Sequence, residues 1–354
     1  MKKTILILFT AMTVVWVACS DNNQSKSSAS MSLEEQNNLQ TQAQGLFKTL
    51  PTTAENVDNP ISNEKVLLGR VLYFDTRLSK TGNNSCNSCH NLATYGVDNK
   101  ATSTGDAGKN GDRNSPTVLN AALHIAQFWD GRAKDVEEQA GMPVLNPAEM
   151  ALPDKKFCVE RLAKIPGYQQ AFKAAFPNDK QAITYDNMTK AIAAFERTLI
   201  TPSKFDDYLK GNQEALNDEE KQGLKSFVNA GCTACHNGAL LGGTQFMKFG
   251  LINDYHPLTG SKNTDMGKMA LTKQESDKDV FKVPSLRNIA KTYPYFHDGS
   301  VNELPKAVRV MAKAQLNKDL TDAEVNSIVA FLESLTGDIP QEYKTAPKEL
   351  ASFN

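Results

Sequence analysis

Cys86-Asn87-Ser88-Cys89-His90 and Cys232-Thr233-Ala234-Cys235-His236 constrain this chain more than any other part of it. A Cys-x-x-Cys-His run is the attachment site of a c-type haem. Its two thiols add to the vinyl groups of the macrocycle, and the adjacent imidazole turns beneath the ring to bind the iron. Two runs predict two covalently bound haem c groups, with His90 and His236 as proximal ligands. Zinc is the plainer alternative, but zinc-binding Cys-x-x-Cys pairs usually sit within about 15–20 residues of each other. Here Cys86 and Cys232 lie 146 positions apart. A thioredoxin-like dithiol would need no histidine after both pairs. Four of the six cysteines belong to the haem runs, so no disulfide framework is implied.

A length of 354 residues suits two ordinary domains. The formal net charge of -1 excludes a globally basic nucleic-acid binder. Met1-Lys2-Lys3 precedes an apolar run, Thr4 to Ala18, too short to span a bilayer. Cys19 follows directly. Residues 1–19 read as a signal peptide of the lipoprotein type, with Cys19 the lipidated first residue of the mature chain, although Trp16 stands where an aliphatic residue is usual; ordinary signal cleavage nearby and a retained anchor are the alternatives. The expected location is the periplasm, tethered to the membrane through Cys19. Residues 20–44, rich in Ser, Asn and Gln, read as a flexible tether that is at most helical toward its end.

Compact sequence is expected from Gly45. Val66, Leu67, Val71 and Leu72 recur at helical spacing after Ser62, a suitable N-cap. Turn-forming residues from Asp75 to Asn84 then deliver Cys86. The second run is reached similarly, through a helix starting at Asn217-Asp218-Glu219-Glu220. Helix, loop and haem run twice over suggests duplication. Thr184 to Ile200 reads as an amphipathic helix carrying Ile192, Phe195 and Leu199. A capping box at Thr321-Asp322-Ala323-Glu324 opens a last helix that Gly337 is expected to stop. No strand run stands out. The class is mostly α: two cytochrome-c-like haem domains with long loops, an N-terminal one over 45–201 and a C-terminal one over 202–340, then a tail, 341–354.

Three longer segments carry a family resemblance. They are Asn114-Ser115-Pro116-Thr117 through Gln127-Phe128-Trp129-Asp130-Gly131-Arg132 and on to Glu149-Met150; Val283-Pro284-Ser285-Leu286-Arg287-Asn288; and Tyr293-Pro294-Tyr295-Phe296-His297-Asp298-Gly299. In matching order over roughly residues 60–340, the chain resembles the bacterial di-haem cytochrome c peroxidases and their relative MauG. The resemblance implies that the N-terminal haem is peroxidatic and the C-terminal haem receives electrons. It implies Met311 as the distal ligand of the second iron. A thioether there favours ferrous iron, which suits an electron-accepting haem. It implies Glu149 as the distal carboxylate that shuttles a proton during O–O cleavage, Gln139 as its neighbouring amide, and Trp129 as the residue between the haems. Asn114, Thr292 and Pro294 match the family's calcium site, whose oxygen ligands suit a hard cation. Read alone, Met311 and Trp129 would pass as core residues, and Gln139 and Glu149 as solvated surface.

The implied reaction is reduction of hydrogen peroxide to water, with electrons from a small donor protein, a cytochrome c or cupredoxin. The resemblance also suggests a homodimer. One departure stands out: in many members a histidine in the loop after the first haem run blocks the catalytic iron. Here Thr102 to Gly111 holds none, and Asp106 takes the aligned place. An open catalytic haem is expected in the oxidised protein. His124 is the substitute ligand to consider, against a satisfied helix histidine. His297 is placed near the second haem or the donor surface, Cys158 as a buried helical thiol, and His256 has no role. Two other readings compete. A MauG-like enzyme oxidising residues of a partner protein would have tyrosine at the place of Met311. A non-catalytic di-haem electron carrier would lack the distal acid.

Overall fold

The computed structural model describes residues 31–353. The expected signal peptide, Cys19 and residues 20–30 of the expected tether lie outside the described residues.

The mostly helical architecture is one helix crossing used twice. In the N-terminal half, Asn63–Phe74 begins at Ser62, whose Oγ accepts from the Lys65 N–H at 3.2 Å. It packs across Tyr185–Glu196, which Thr184 caps. In the C-terminal half, Asp218–Ala230 opens with the Asn217/Glu220 capping box and packs across Asp322–Glu333, opened by the Thr321/Glu324 box. Both crossings are close for the same reason. A Cβ on Gly69 would lie 1.9 Å from the Ala191 carbonyl oxygen, and one on Gly223 would lie 1.8 Å from that of Ser327. In each half the first helix feeds a Cys-x-x-Cys-His run and the second closes the domain.

The tether reading fails for residues 33–44. Leu33–Leu46 is a helix with a Ser32/Glu35 capping box. Leu39, Ala43 and the following Phe47 recur every four residues and bury against Phe205, Tyr208 and Phe331 of the C-terminal domain. The glutamines that made the segment look soluble donate to that domain's backbone: Gln40 Nε2 to the Tyr208 carbonyl at 2.8 Å, Gln44 Nε2 to that of Leu209 at 3.0 Å. The tail, in contrast, folds onto the N-terminal domain. The Phe353 ring meets Tyr168 edge-on at 4.9 Å, and its carbonyl accepts from Arg77 Nη1 at 2.6 Å.

Smaller differences have local causes. The helix expected to reach Ile200 ends at Glu196, where Arg197 turns to pair with Glu137 at 2.6 Å. Gly337 does not stop the last helix, which Ser334 caps. Its N–H instead donates to Asn288 Oδ1 at 2.9 Å. Two three-residue strands, Phe246–Lys248 and Val280–Lys282, pair antiparallel, too short to leave an alternation in the sequence. Among the described residues no helix is long and apolar enough to cross a membrane.

The halves meet along loops. Arg113 forks onto Asp265 at 2.6 and 2.8 Å and also reaches Asp130 at 2.6 Å. The Asn114 N–H donates to the His297 carbonyl at 2.7 Å, and the Lys282 N–H to the Trp129 carbonyl at 2.7 Å.

Candidate active site

The C-terminal haem run opens onto a cavity of about 380 Å³ whose walls include Cys232, Cys235, His236, Phe227, Leu286 and Met311. His236 is buried, and burial pushes its imidazole below the usual histidine range. Its Nδ1 lies 2.9 Å from the Leu241 carbonyl. A carbonyl can only accept, so Nδ1 carries the hydrogen and Nε2 is left with a free lone pair for a metal. Met311 reaches the same cavity from the helix Leu304–Leu316. Two free thiols, an oriented neutral imidazole and a thioether around an apolar space fit a haem c.

The N-terminal run is built differently. Cys86–Cys89 forms one helical turn, opened by the Ser85 N–H donating to Ser88 Oγ at 2.9 Å. Tyr73 Oη donates to the His90 carbonyl at 2.5 Å. Burial also lowers the pKa of the His90 imidazole. Glu149 follows Val136–Leu145, the helix that carries Gln139. Burial raises the Glu149 carboxyl above the ordinary value, against the opposing pull of Asn146 and Arg132. Asn146 Nδ2 donates to its Oε1 at 2.7 Å. The Glu149 backbone carbonyl accepts from the Asp106 N–H at 2.7 Å, and Asp106 in turn holds the Ser79–Thr81 turn that leads into the haem run. The half-buried Gln139 amide makes no hydrogen bond among the described residues.

Trp129 comes from the N-terminal half yet lines the C-terminal cavity, its Nε1 donating to the Asn114 carbonyl at 2.9 Å. The residue before it, Phe128, holds φ at 65°, an uncommon conformation for an aromatic side chain. Asn114, Thr292 and Pro294 line that same cavity. Asn114 Nδ2 donates to the Lys100 carbonyl at 2.9 Å, which leaves Oδ1 free among the described residues.

These two sites match known proteins in order. The family model of the di-haem cytochrome c peroxidases fits residues 63–214, and that of cytochrome c fits 220–336. Cytochrome c551 peroxidase of Pseudomonas aeruginosa is 48% identical over 314 residues, 87% of this chain and 90% of that protein. The chain belongs to the di-haem cytochrome c peroxidase family. Its counterpart in Nitrosomonas europaea is 48% identical, covering 79% of this chain and 82% of the other. The methylamine utilization protein MauG of Methylophilus methylotrophus stands further off, 32% identical over 82% of this chain and 88% of its own. A crystal structure of a MauG-like protein associated with microbial copper homeostasis superposes with a TM-score of 0.74 at 30% identity, over 85% of this chain and 96% of that one. The fold class and the two haem c groups expected of this peroxidase therefore hold.

Other expectations need correction or completion. His124 is not a helix histidine. It follows a short 3-10 turn and lines the C-terminal cavity, its Nδ1 2.8 Å from Lys282 Nζ. Burial pushes that ammonium down to about 7, with Asp130 opposing. Asp106 is fully occupied: it accepts from Ser79 Oγ and from the Thr81 N–H and Oγ1, each at 2.8 Å, while its own N–H donates to the Glu149 carbonyl at 2.7 Å. Cys158 is a buried helical thiol. His256 bonds Asp254 at 2.7 Å. Sequence reasoning missed Arg113, Lys282 and the Asp106 clasp. The Gly-rich setting of Asp106 was the one available signal that its side chain serves a turn.

Proposed function

We propose that the protein reduces hydrogen peroxide to water at the His90 haem, with electrons from a small c-type cytochrome or cupredoxin entering at the His236/Met311 haem. The haems, when bound, supply the redox-active irons. The observation that carries the reading is the difference between the two pockets: a carboxyl raised by burial and tied through Asp106 to the turn before one run, a methionine in the cavity of the other.

Glu149, held by Asn146, takes a proton from bound peroxide and returns it to the departing oxygen; a raised pKa suits a group that must do both. The unbonded Gln139 amide orients peroxide or its water. Trp129 lies on the electron route between the pockets. The 102–111 loop would offer no iron ligand, since its Asp106 is spent on Ser79 and Thr81, and a haem held by Cys86, Cys89 and His90 would then be accessible to peroxide without prior reduction. Asn114 Oδ1 with the Thr292 and Pro294 carbonyls would hold Ca²⁺, water completing the shell. Export and a lipid anchor at Cys19 rest on the leader sequence, and a homodimer on the family resemblance.

Low-temperature EPR of the oxidised protein, followed by one equivalent of peroxide, tests this. One high-spin and one low-spin ferric signal with immediate reaction are expected. Two low-spin signals, and no reaction until one haem is reduced, would show a sixth ligand on the His90 iron.

A further inference from the structure

Outside the haem pockets, one buried hydroxyl joins the two halves. Pro116-Thr117-Val118-Leu119-Asn120-Ala121-Ala122 and Pro284-Ser285-Leu286-Arg287-Asn288-Ile289-Ala290 run parallel in sequence, with Pro, Asn and the final Ala at the same places. The structure gives them the same turn. Asn120 and Asn288 are fully buried, hold φ at 60° and 62°, and each opens a 3-10 turn. Asparagine tolerates that left-handed backbone better than most residues with a side chain. The Asn120 N–H donates to the Leu199 carbonyl and its Oδ1 accepts from the Thr201 N–H, both at 2.9 Å. Asn288 repeats the pattern on Leu335 and Gly337, at 3.1 and 2.9 Å.

A backbone N–H can only donate, so both amides are fixed with oxygen toward it and nitrogen away. Both nitrogens then meet one atom. Asn120 Nδ2 lies 2.9 Å and Asn288 Nδ2 2.8 Å from Thr201 Oγ1. Neither nitrogen has another hydrogen bond among the described residues, and together they use both lone pairs of the hydroxyl. Thr201 is 1% exposed, so no water can take its place. Its counterpart in the C-terminal half is Gly337, where a Cβ would lie 2.4 Å from the Thr201 carbonyl oxygen. Of the two equivalent positions, only one has room for a side chain. Each turn continues toward the route between the sites. The Ala121 carbonyl accepts from Gln127 Nε2 at 2.9 Å, two residues ahead of Trp129. Pro284, Leu286 and Ile289 wall the cavity that Trp129 enters, and Thr201 itself is not on that wall.

We propose that Thr201 is a positioning residue for electron transfer between the two haem sites. By accepting from both asparagines, its hydroxyl sets the Trp129 segment of one half against the 283–289 wall of the other. The inference rests on the peroxidase reading, in which an electron leaves the His236/Met311 site and reaches the His90 site by way of Trp129. Thr201 touches neither site and takes up neither proton nor electron. Without the shared acceptor, two buried N–H donors from opposite halves lose their partner, and the turns part to find others. A step between held groups is sensitive to such a shift in distance and orientation.

The test uses the full-length protein carrying both haems, as wild type, T201V, T201C and T201S. The C-terminal haem is reduced, spare reductant is removed, and peroxide is mixed in by stopped flow. Each peroxide takes two electrons, one from the His90 site and one from the reduced haem, whose bleaching reports its reoxidation. At low peroxide the rate rises with the reaction at the His90 site; at high peroxide it levels off at the transfer between the sites. T201V keeps the shape and removes the acceptor. It should lower the plateau on the order of tenfold and leave the initial slope unchanged. T201S should match wild type. T201C, whose thiol is a weak acceptor, should fall between them and stands in if T201V takes up no haem. A plateau unchanged in the Val and Cys variants, whatever their loss of thermal stability, overturns the positioning role and leaves the peroxidase reading intact. So does a plateau lowered equally in T201S. No reoxidation by peroxide in wild type overturns the peroxidase reading and this inference with it.

Discussion

The two haem runs share their five-residue pattern and their helix crossing, yet the pockets around them are opposites. The C-terminal one is finished by the fold: His236 is tethered to Leu241, Met311 faces the same apolar space, and the buried Arg287–Asp206 pair, 2.5 Å apart, holds the Val283–Asn288 segment on its wall. The N-terminal one is finished by loops: Glu149 hangs on Asn146 and the 102–111 loop on Asp106. A pocket closed by the fold, with an imidazole and a thioether facing one apolar space, suits an iron that only changes charge. A pocket walled by loops, with a titratable acid on one of them, suits an iron that must admit a substrate.

The difference can be broken first at its acid. Glu149→Gln should lower peroxide reactivity by roughly 10²–10⁴-fold, the range for a lost general acid–base, while the absorption spectra of both haems stay unchanged. The pH profile gives the sign. Glu149 must be ionised to take the proton, and burial lifts its carboxyl above the ordinary 4.5, so the rate should fall on acidification while still above that pH. In stopped-flow measurements the acid limb should vanish in the Gln variant.

Next in size is the clasp of the other pocket. Asp206→Ala leaves the Arg287 guanidinium buried without its counter-charge and should cost about 3–5 kcal/mol in denaturant unfolding. The loss should fall on the C-terminal haem domain. Met311→Leu should remove the thioether from the second iron and lower its midpoint potential by on the order of 0.1 V, a fraction of the ~0.8 V that axial ligation spans. Redox titration reads that change, and the N-terminal haem should not move with it. The smallest effect belongs to Asp106→Ala, which frees several donors of the 79–83 turn and should cost about 1 kcal/mol. Its ferric EPR spectrum should match wild type, because Asp106 faces Ser79 and Thr81 and not the iron.

The same contrast explains what could be read from the residues alone. The haem runs were legible because covalent attachment needs both thiols and the imidazole within five consecutive positions. The capped helices were legible because capping boxes are local too. Glu149, Gln139 and Met311 were visible only by resemblance, since one acid, one amide or one thioether carries no spacing signal of its own. Residues 33–44 misled because glutamines that bond backbone carbonyls of another segment look, in composition, like glutamines in water. His124 misled because its partner, Lys282, lies 158 positions away.

The chain's two outer segments are exchanged between the domains. Leu33–Leu46 belongs to the core of the C-terminal domain, and Phe353 to that of the N-terminal one. The first haem run therefore lies in a domain whose packing is completed by a segment more than 250 positions further along the chain. Removing residues 341–353 should therefore loosen the haem domain that lies furthest from them in sequence.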